Sequence, residues 1–325
     1  MIEEKRFTNR SPYERKSNTI CKENDPFYEF KNKMNKFYEN PLNGEKFYQM
    51  IIDLISKDAK IDLSLYRTNF LHRRIYYRIM KLNLSTYSQY IEVMKKDKAE
   101  IQKFVESFTI HVTEFFRDIT PFIYLETTLI PKIIEEKKNS EESKNTFTIL
   151  SAPCSTGEEP YSIAIILDKL KKKKIIPDSM NIQFYASDLD QGVLNFAQQG
   201  IYSKESLKKV PVEMIDKYFR TIDEKHYQIK PILKQYITWM NHDLLKPNPI
   251  KNIDLVVCRN FLIYISKDCQ NVVIDNLVKS MNPGAYLMLG KTEGFPLIST
   301  KAFVPENIKE HIYRISSNLN KVAIN

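Results

Sequence analysis

Glycine is scarce in this chain, with seven in 325 residues, and neither GxGxxG nor a Walker loop occurs. A Gly-rich backbone cradle for phosphates is therefore not expected. The four cysteines, Cys21, Cys154, Cys258 and Cys269, lie far apart and form no CxxC pair. That spacing excludes the usual zinc arrangements and a disulfide framework, and no metal site is expected. Cys258 sits in an apolar run and reads as a small buried residue. No apolar stretch reaches the roughly 18–20 residues of a membrane span. No apolar signal core follows the first six residues, Met1 to Arg6. The expectation is a soluble, cytoplasmic protein. No internal repeat is evident.

What is present is globular in character: 42% hydrophobic and 27% charged residues, in a length that suits one large domain or two ordinary ones. The formal charge is +9. A basic balance is compatible with nucleic acid, an anionic membrane or an acidic protein. Lysine, isoleucine and asparagine are abundant throughout, so composition does not choose among these.

Residues 1–45 are polar, charged and broken by Pro12, Pro26 and Pro41, and read as an extension with at most short helices. Residues 46–110 are helical by period. Phe47, Ile51, Leu54 and Ile55 form one apolar stripe, and Leu71, Ile75, Ile79 and Leu82 a second. Ser85 is positioned as the N-cap of a helix carrying Tyr87, Tyr90, Ile91 and Met94. From about residue 145 strands alternate with helices. Strands are expected at 147–152, 182–187, 236–240, 253–258, 285–290 and 311–316, and helices at 158–173, 190–199 and 266–281. This alternation predicts an α/β fold with a mainly parallel sheet. The lysine-rich stretch 169–174 ends the first of these helices, where cations suit the dipole. Residues 202–235 lack a long helical pattern and read as a small inserted subdomain with short antiparallel strands around Tyr227–Ile232. Residues 317–325 are a tail.

Chemistry concentrates at strand ends. Ser151–Glu159 connects an apolar strand to a helix, and Glu158 and Glu159 sit in that helix's first turn. In open α/β sheets such loops bind ligands. Asp188 ends the second strand, where a carboxylate can accept both hydroxyl hydrogens of a ribose, although an Asp there is also a common N-cap. Glutamates in a first turn suit the dipole in any case. Taken together, the carboxylates suit a nucleoside with a cationic end and would repel a pyrophosphate. S-adenosylmethionine has a ribose, an ammonium, a sulfonium and no phosphate. Arg259 and Asn260 end the strand Asp254–Cys258 and would face the same cleft as Asp188; a plain turn is the alternative. Upstream, in the run His111–Asp118, Phe115 and Phe116 read as core. Thr113 and Arg117 could reach a ligand, or Arg117 could make a surface ion pair.

These segments, in this order, resemble the CheR-type chemotaxis receptor glutamate O-methyltransferases. The matching residues are His-Val-Thr-Glu-Phe-Phe-Arg-Asp (111–118), Ser-Ala-Pro-Cys-Ser-Thr-Gly-Glu-Glu-Pro-Tyr-Ser (151–162), Ala-Ser-Asp (186–188), Gly-Ile-Tyr (200–202), Cys-Arg-Asn (258–260) with Ile263 and Tyr264, and Gly-Lys-Thr-Glu (290–293). The resemblance spans about residues 46–316. It implies a helical amino-terminal domain (46–110) and a Rossmann-like class I methyltransferase domain (111–316) carrying a small inserted β-subdomain (about 202–235). It further implies that Thr113, Arg117 and Glu159 hold the amino-acid end of S-adenosylmethionine, that His111 is a cofactor-binding position, that Asp188 binds the ribose, and that Asp243 and Leu244 lie beside the adenine. Arg259, Asn260 and Tyr264 would line the reaction cleft, with Arg117 and Tyr264 orienting the reactants. Family members usually carry Asn at the position of His111, and Asn is common at that of Asp243. The stretch 203–235 holds no glycine, as in members that do not dock a receptor's carboxyl-terminal pentapeptide.

The implied reaction is methyl transfer to a glutamate carboxylate of a receptor's cytoplasmic helices, yielding S-adenosylhomocysteine. The nucleophile is already ionised, since free Glu has a pKa of about 4.3, so no general base is needed, in accord with the lack of a His–carboxylate pair. Arg73, Arg74, Arg78 and Lys81 share a helix and are expected to present cations to an acidic receptor bundle. A monomer without nucleic-acid or membrane partners is expected. The rival functions are an RNA methyltransferase, against which the lack of an RRM or KH signature counts, and a non-catalytic cofactor-sensing or receptor-binding module.

Overall fold

The computed structural model describes residues 26–59, 61–108, 113–139, 145–294 and 302–316. The chain divides into two compact units, Met1–Ile61 with Leu71–Phe108, and Asp62–Phe70 with Thr109–Asn325. Residues 62–70, inside the stretch expected to be wholly part of the helical block, thus pack with the second unit. Among the described residues, no helix is long and apolar enough to cross a membrane.

The first unit is helical: α1 (Pro26–Tyr38), α2 (Glu45–Ala59), α3 (Thr68–Lys81, its first turn in the second unit), α4 (Tyr87–Lys96) and α5 (Ala99–Phe108). In α2 the buried residues are Tyr48, Ile51 and Ile55. Phe47 and Leu54, placed on the stripe by spacing, are only half-buried. The cap of α4 is Thr86 rather than Ser85: Thr86 is extended and its side chain accepts from the Gln89 N–H. Ser85 instead donates its N–H to the Gln89 side chain at 2.8 Å, so the reciprocal half of a capping box falls one residue early.

Arg78 departs from its expected place on an exposed cationic face. It is buried, its fork donates to both oxygens of Glu100 at 2.8 and 2.6 Å, and Tyr90 donates to the same carboxylate at 2.9 Å. The spacing was right for the helix, but a buried glutamate on α5 claims the guanidinium. Breaking such a pair costs about 3–5 kcal/mol.

The second unit holds a seven-stranded sheet in the order β6-β2-β1-β7-β8-β10-β9. The strands are β1 (Thr146–Ser151), β2 (Asn181–Asp188), β6 (Ile237–Asn241), β7 (Ile253–Cys258), β8 (Met281–Leu289), β9 (Phe303–Asn307) and β10 (Ile312–Ile315). The first five pair in parallel, and β10 runs antiparallel to both β8 and β9. Every residue of β7 is buried, the mark of a strand covered on both faces. Its one charged residue, Asp254, is compensated by Lys137 at 2.9 Å, by the Thr148 N–H at 2.8 Å and by the Asn282 amide at 2.8 Å.

Helices cover the sheet: α6 (Thr120–Tyr124) runs through a π turn (Leu125–Leu129) into α7 (Ile130–Lys138), and α8 (Glu158–Lys172), α9 (Gln191–Gln199) and α12 (Lys267–Val278) follow. Between β2 and β6 lies a small antiparallel sheet, β3 (Ile201–Ser203), β5 (His226–Ile229) and β4 (Phe219–Thr221), with α10 (Val212–Tyr218) and α11 (Pro231–Lys234). Tyr218 ties it to α8 by donating to the buried Asp168 at 2.7 Å. The lysines ending α8 are more than a solvated tail: Lys169 and Lys173 pair with Glu126, and Lys172 pairs with Asp168.

Strand order reverses at β1. From β1 the chain winds outward through β2 to β6 on one side and later through β7 to β8 on the other. A crevice outside the carboxyl ends of β1 and β7 is where such a sheet takes ligands.

Candidate active site

Four strand tips converge there. β1 ends at Ser151, and the loop 152–157 leads into α8. Gly157 opens that helix at φ +96°, and a Cβ on it would stand 2.8 Å from the Ala197 Cβ and 2.9 Å from the Tyr202 hydroxyl. Only glycine fits. Tyr202 in turn donates to the Thr156 carbonyl at 2.7 Å, so the inserted subdomain braces the loop.

The loop then places two carboxylates differently. Glu158 is buried and accepts from Thr156 at 2.7 Å and from Thr113, and burial pushes its carboxyl above the usual range. It holds the loop to the segment after residue 112. Glu159 accepts from Ser151 at 2.8 Å, and its other oxygen lies 3.4 Å from Arg259. Burial raises the Glu159 carboxyl as well, with Arg259 and Ser151 opposing it.

Arg259, at the end of β7, is almost fully buried. Its Nη2 donates to Asp118 at 3.0 Å and to the Arg117 carbonyl at 3.1 Å, and its guanidinium lies over the Phe122 ring, 5.3 Å from the centroid. Its Nε is buried and meets no acceptor among the described residues. Leaving a buried charged donor unmatched is costly.

At the tip of β2, Asp188 accepts from the Ser155 N–H at 2.8 Å and the Asp190 N–H at 3.1 Å. A carboxylate oxygen can accept two hydrogens, so ribose hydroxyls can share it. The helix cap expected as the alternative role falls to Asp190, which accepts from Gly192 and Val193. After β6, Asp243 accepts from the Leu245 N–H at 3.0 Å, and Leu244 is buried. Asn260 takes a left-handed conformation, φ +60°, and Tyr264 is half-buried in the loop that follows.

The structure therefore gathers Glu159, Arg259, Asp118 and the Arg117 carbonyl, with Asn260 next to Arg259 in the chain; Thr113 bonds Glu158 instead, and Asp188 holds the 152–157 loop from the other side. His111 lies outside the described residues. Among the described residues no cluster of side chains forms a metal site.

Two residues with a part in this geometry carried no role in the sequence reading. Asp118 closed a motif but was overlooked as the partner of Arg259. Glu293 is buried and accepts four backbone N–H groups, from Phe261 (2.8 Å) and Leu262 (2.7 Å) on one oxygen and from Asn260 (2.9 Å) and Gly290 (2.5 Å) on the other. It fixes the loop after β7. A Cβ on Gly290 would approach the Asn260 side chain to 2.8 Å, so that position too requires glycine. Glu293 closes the Gly-Lys-Thr-Glu match (290–293), but nothing in that run announces its four backbone donors.

Comparison with known proteins shows the family. The model of the CheR methyltransferase SAM-binding domain matches residues 111–312, and that of the CheR all-alpha domain matches residues 46–109. The chain belongs to the CheR methyltransferase family. A chemotaxis protein methyltransferase of Listeria innocua serovar 6a is 30% identical over 77% of this chain and 90% of its own length. One from Borreliella burgdorferi is 27% identical over 80% and 92%, and one from Klebsiella aerogenes 28% over 80% and 86%. As a CheR-family member the protein is an S-adenosylmethionine-dependent methyltransferase with a Rossmann-like core and an all-helical amino-terminal domain. The residues present fit the cofactor's amino-acid end in charge: a guanidinium, Arg259, of the sign that suits a carboxylate, and a carboxylate, Glu159, of the sign that suits an ammonium.

The raised Glu159 carboxyl gives a pH signature. Protonation removes the charge that holds an ammonium, so cofactor affinity is expected to fall on acidification at a pH above the ~4.3 of a free glutamate. The effect on folding has the opposite sign. A carboxyl raised in the folded state holds its proton more tightly there, so its stabilising share is complete below the unfolded pKa and is lost as pH rises through the folded one. Calorimetry of S-adenosylhomocysteine against pH checks the first statement; Glu159→Gln should flatten the profile.

Proposed function

We propose that this protein methylates glutamate side chains on the cytoplasmic helices of chemotaxis receptors, forming methyl esters. The observation that carries the reading is the Arg259 guanidinium, fixed between Asp118 and Glu159 at the end of β7, with an Nε that meets no acceptor among the described residues. When bound, S-adenosylmethionine supplies an electrophilic methyl on a sulfonium. Its S–CH3 bond would break as the glutamate oxygen takes the methyl, leaving a neutral thioether and a neutral ester. No proton moves.

The chain's task is therefore alignment and exclusion of water. Thr113, Arg117, Glu159 and Arg259 hold the amino-acid end, Asp188 the ribose, and Asp243 with Leu244 border the adenine. Arg117 and Tyr264 orient the reactants, and Asn260 lines the cleft. His111 is carried over as a cofactor-binding position, where family members usually have Asn. On α3, Arg73 and Lys81 are exposed and Arg74 is half-buried, with Tyr77 (45%) and Met80 (42%) exposed among them. This mixed face suits an acidic amphipathic helix, with Arg78 excluded by its partner Glu100.

Transfer of radiolabelled methyl to a receptor cytoplasmic fragment tests the proposal. The expected product is a label released by mild base, and Arg73→Glu with Arg74→Glu should slow transfer about tenfold at low salt without changing cofactor affinity. Base-stable label, or label on RNA instead, would overturn the reading.

A further inference from the structure

We infer that residues 62–70 are a clasp on the catalytic loop, in which Tyr66 positions the nucleoside end of the cofactor and Phe70 positions Tyr264. The segment belongs to the stretch matched by the all-helical family model, yet it packs with the methyltransferase unit.

Its contacts concentrate on residues 264–266. The Arg67 N–H donates to the Tyr264 carbonyl at 2.9 Å, the Ser266 N–H donates back to the Leu65 carbonyl at 2.8 Å, and the Arg67 Nε donates to the Ile265 carbonyl at 2.9 Å. Tyr66 and Ile265 form an antiparallel bridge. Bonds running both ways over three residues set a register. One end of this loop is already pinned by Glu293 at residues 260–262; the clasp pins the other, beginning at the Tyr264 carbonyl.

The two aromatic residues point this register at the chemistry. Phe70 is buried, with its ring centroid 4.9 Å from that of Tyr264. Tyr66 stacks with Phe70 at 5.9 Å and packs against the apolar cluster that contains Leu244, Leu262 and Ile265. The carboxylates of Asp243 and Asp188 act on its phenol and, after burial, add to the rise of its pKa. Tyr66 thus lies within electrostatic reach of both acidic residues assigned to the nucleoside and packs against the cluster that includes Leu244. A ring there closes the nucleoside end against water. Because a misplacement of about 1 Å at a reacting group can cost about 100-fold in rate, a fixed Tyr264 is worth a dedicated segment.

The inference rests on the assignment of Asp188 and Asp243 to the nucleoside, and the experiment separates the two. The full chain is titrated by calorimetry with S-adenosylhomocysteine and with adenosine, as wild type, Tyr66→Ala, Tyr66→Phe and Asp188→Ala, with thermal melts alongside. Tyr66→Ala is expected to weaken both ligands by the same factor, about tenfold, and Tyr66→Phe by no more than about twofold, because the ring is restored. Should Tyr66→Ala melt near the assay temperature, Tyr66→Leu is read in its place. Phe70→Ala should leave adenosine affinity within about twofold, speed amide exchange at Arg67 and Ser266, and lower kcat about tenfold with little change in the cofactor's KM; Phe70→Leu should recover most of the rate. Unchanged affinity in folded Tyr66→Ala, or weaker S-adenosylhomocysteine with unchanged adenosine, overturns the clasp. Normal binding by Asp188→Ala would count against the nucleoside assignment alone, since the Tyr66 comparison is made against wild type.

Discussion

Replacing Glu293 with glutamine is expected to be nearly as damaging as replacing it with alanine. Each carboxylate oxygen accepts two backbone N–H groups. An amide keeps the shape but turns one acceptor into a donor, so two buried N–H groups would face an NH2 group. Each unmatched buried donor costs about 1–3 kcal/mol. For a unit of this size, 1 kcal/mol shifts the melting temperature by about 2–4 °C. Glu293→Gln should therefore melt roughly 5–15 °C below wild type and lose most of its methyl transfer, because residues 260–262 carry Asn260 and lead to Tyr264. Differential scanning calorimetry reads the first effect. A wild-type melt with wild-type turnover would show that the four bonds do not set the loop.

Arg259→Ala is expected to cut cofactor affinity about 100-fold or more. Truncating one partner of a buried, hydrogen-bonded charge pair costs about 2–5 kcal/mol, and about 1.4 kcal/mol is tenfold in affinity. Here the loss is compounded. Asp118 and Glu159 would be left without their cation beside the site of an incoming carboxylate, and Glu159, already raised by burial, would rise further. Arg259→Lys restores charge without the planar fork. A point charge cannot serve Asp118, the Arg117 carbonyl and a ligand at once, so about a tenfold loss should remain. Calorimetry with S-adenosylhomocysteine checks both variants, and thermal melts separate lost affinity from lost fold.

The parallel core was legible because its strands are continuous apolar runs ending in polar residues: Phe147–Leu150 before Ser151, and Leu255–Cys258 before Arg259. The strand Phe303–Asn307 was missed. It is an edge strand holding Pro305 and Glu306, and an edge needs neither a full ladder nor a hydrophobic face. The strand at Met281–Leu289 begins four residues before the expected 285, because its Asn-Pro-Gly stretch reads as a turn, whereas the register shift between Ile253 and Leu255 absorbs it. The site was legible where chemistry and position coincide, as at Asp188, Glu159 and Arg259. It was opaque where the role lies in a long-range partner. Nothing local to Arg78 announces Glu100, nothing local to Glu293 announces the N–H groups of residues 260–262, and the segment around Tyr66 lies nearly 200 residues from the loop it grips.

The pocket's acidic strand tips are tested most directly by the affinity of Asp188→Ala for S-adenosylhomocysteine, measured by calorimetry beside wild type at equal salt and pH. Two hydroxyl contacts to a charged acceptor, at about 1.5–3 kcal/mol each, are at stake. The expected result is binding weakened about 100-fold or more in a protein that stays folded at the assay temperature but melts somewhat lower, because the Ser155 and Asp190 N–H groups lose their acceptor. Wild-type affinity in the variant would contradict the account, since the ribose would then have to lie away from the end of β2.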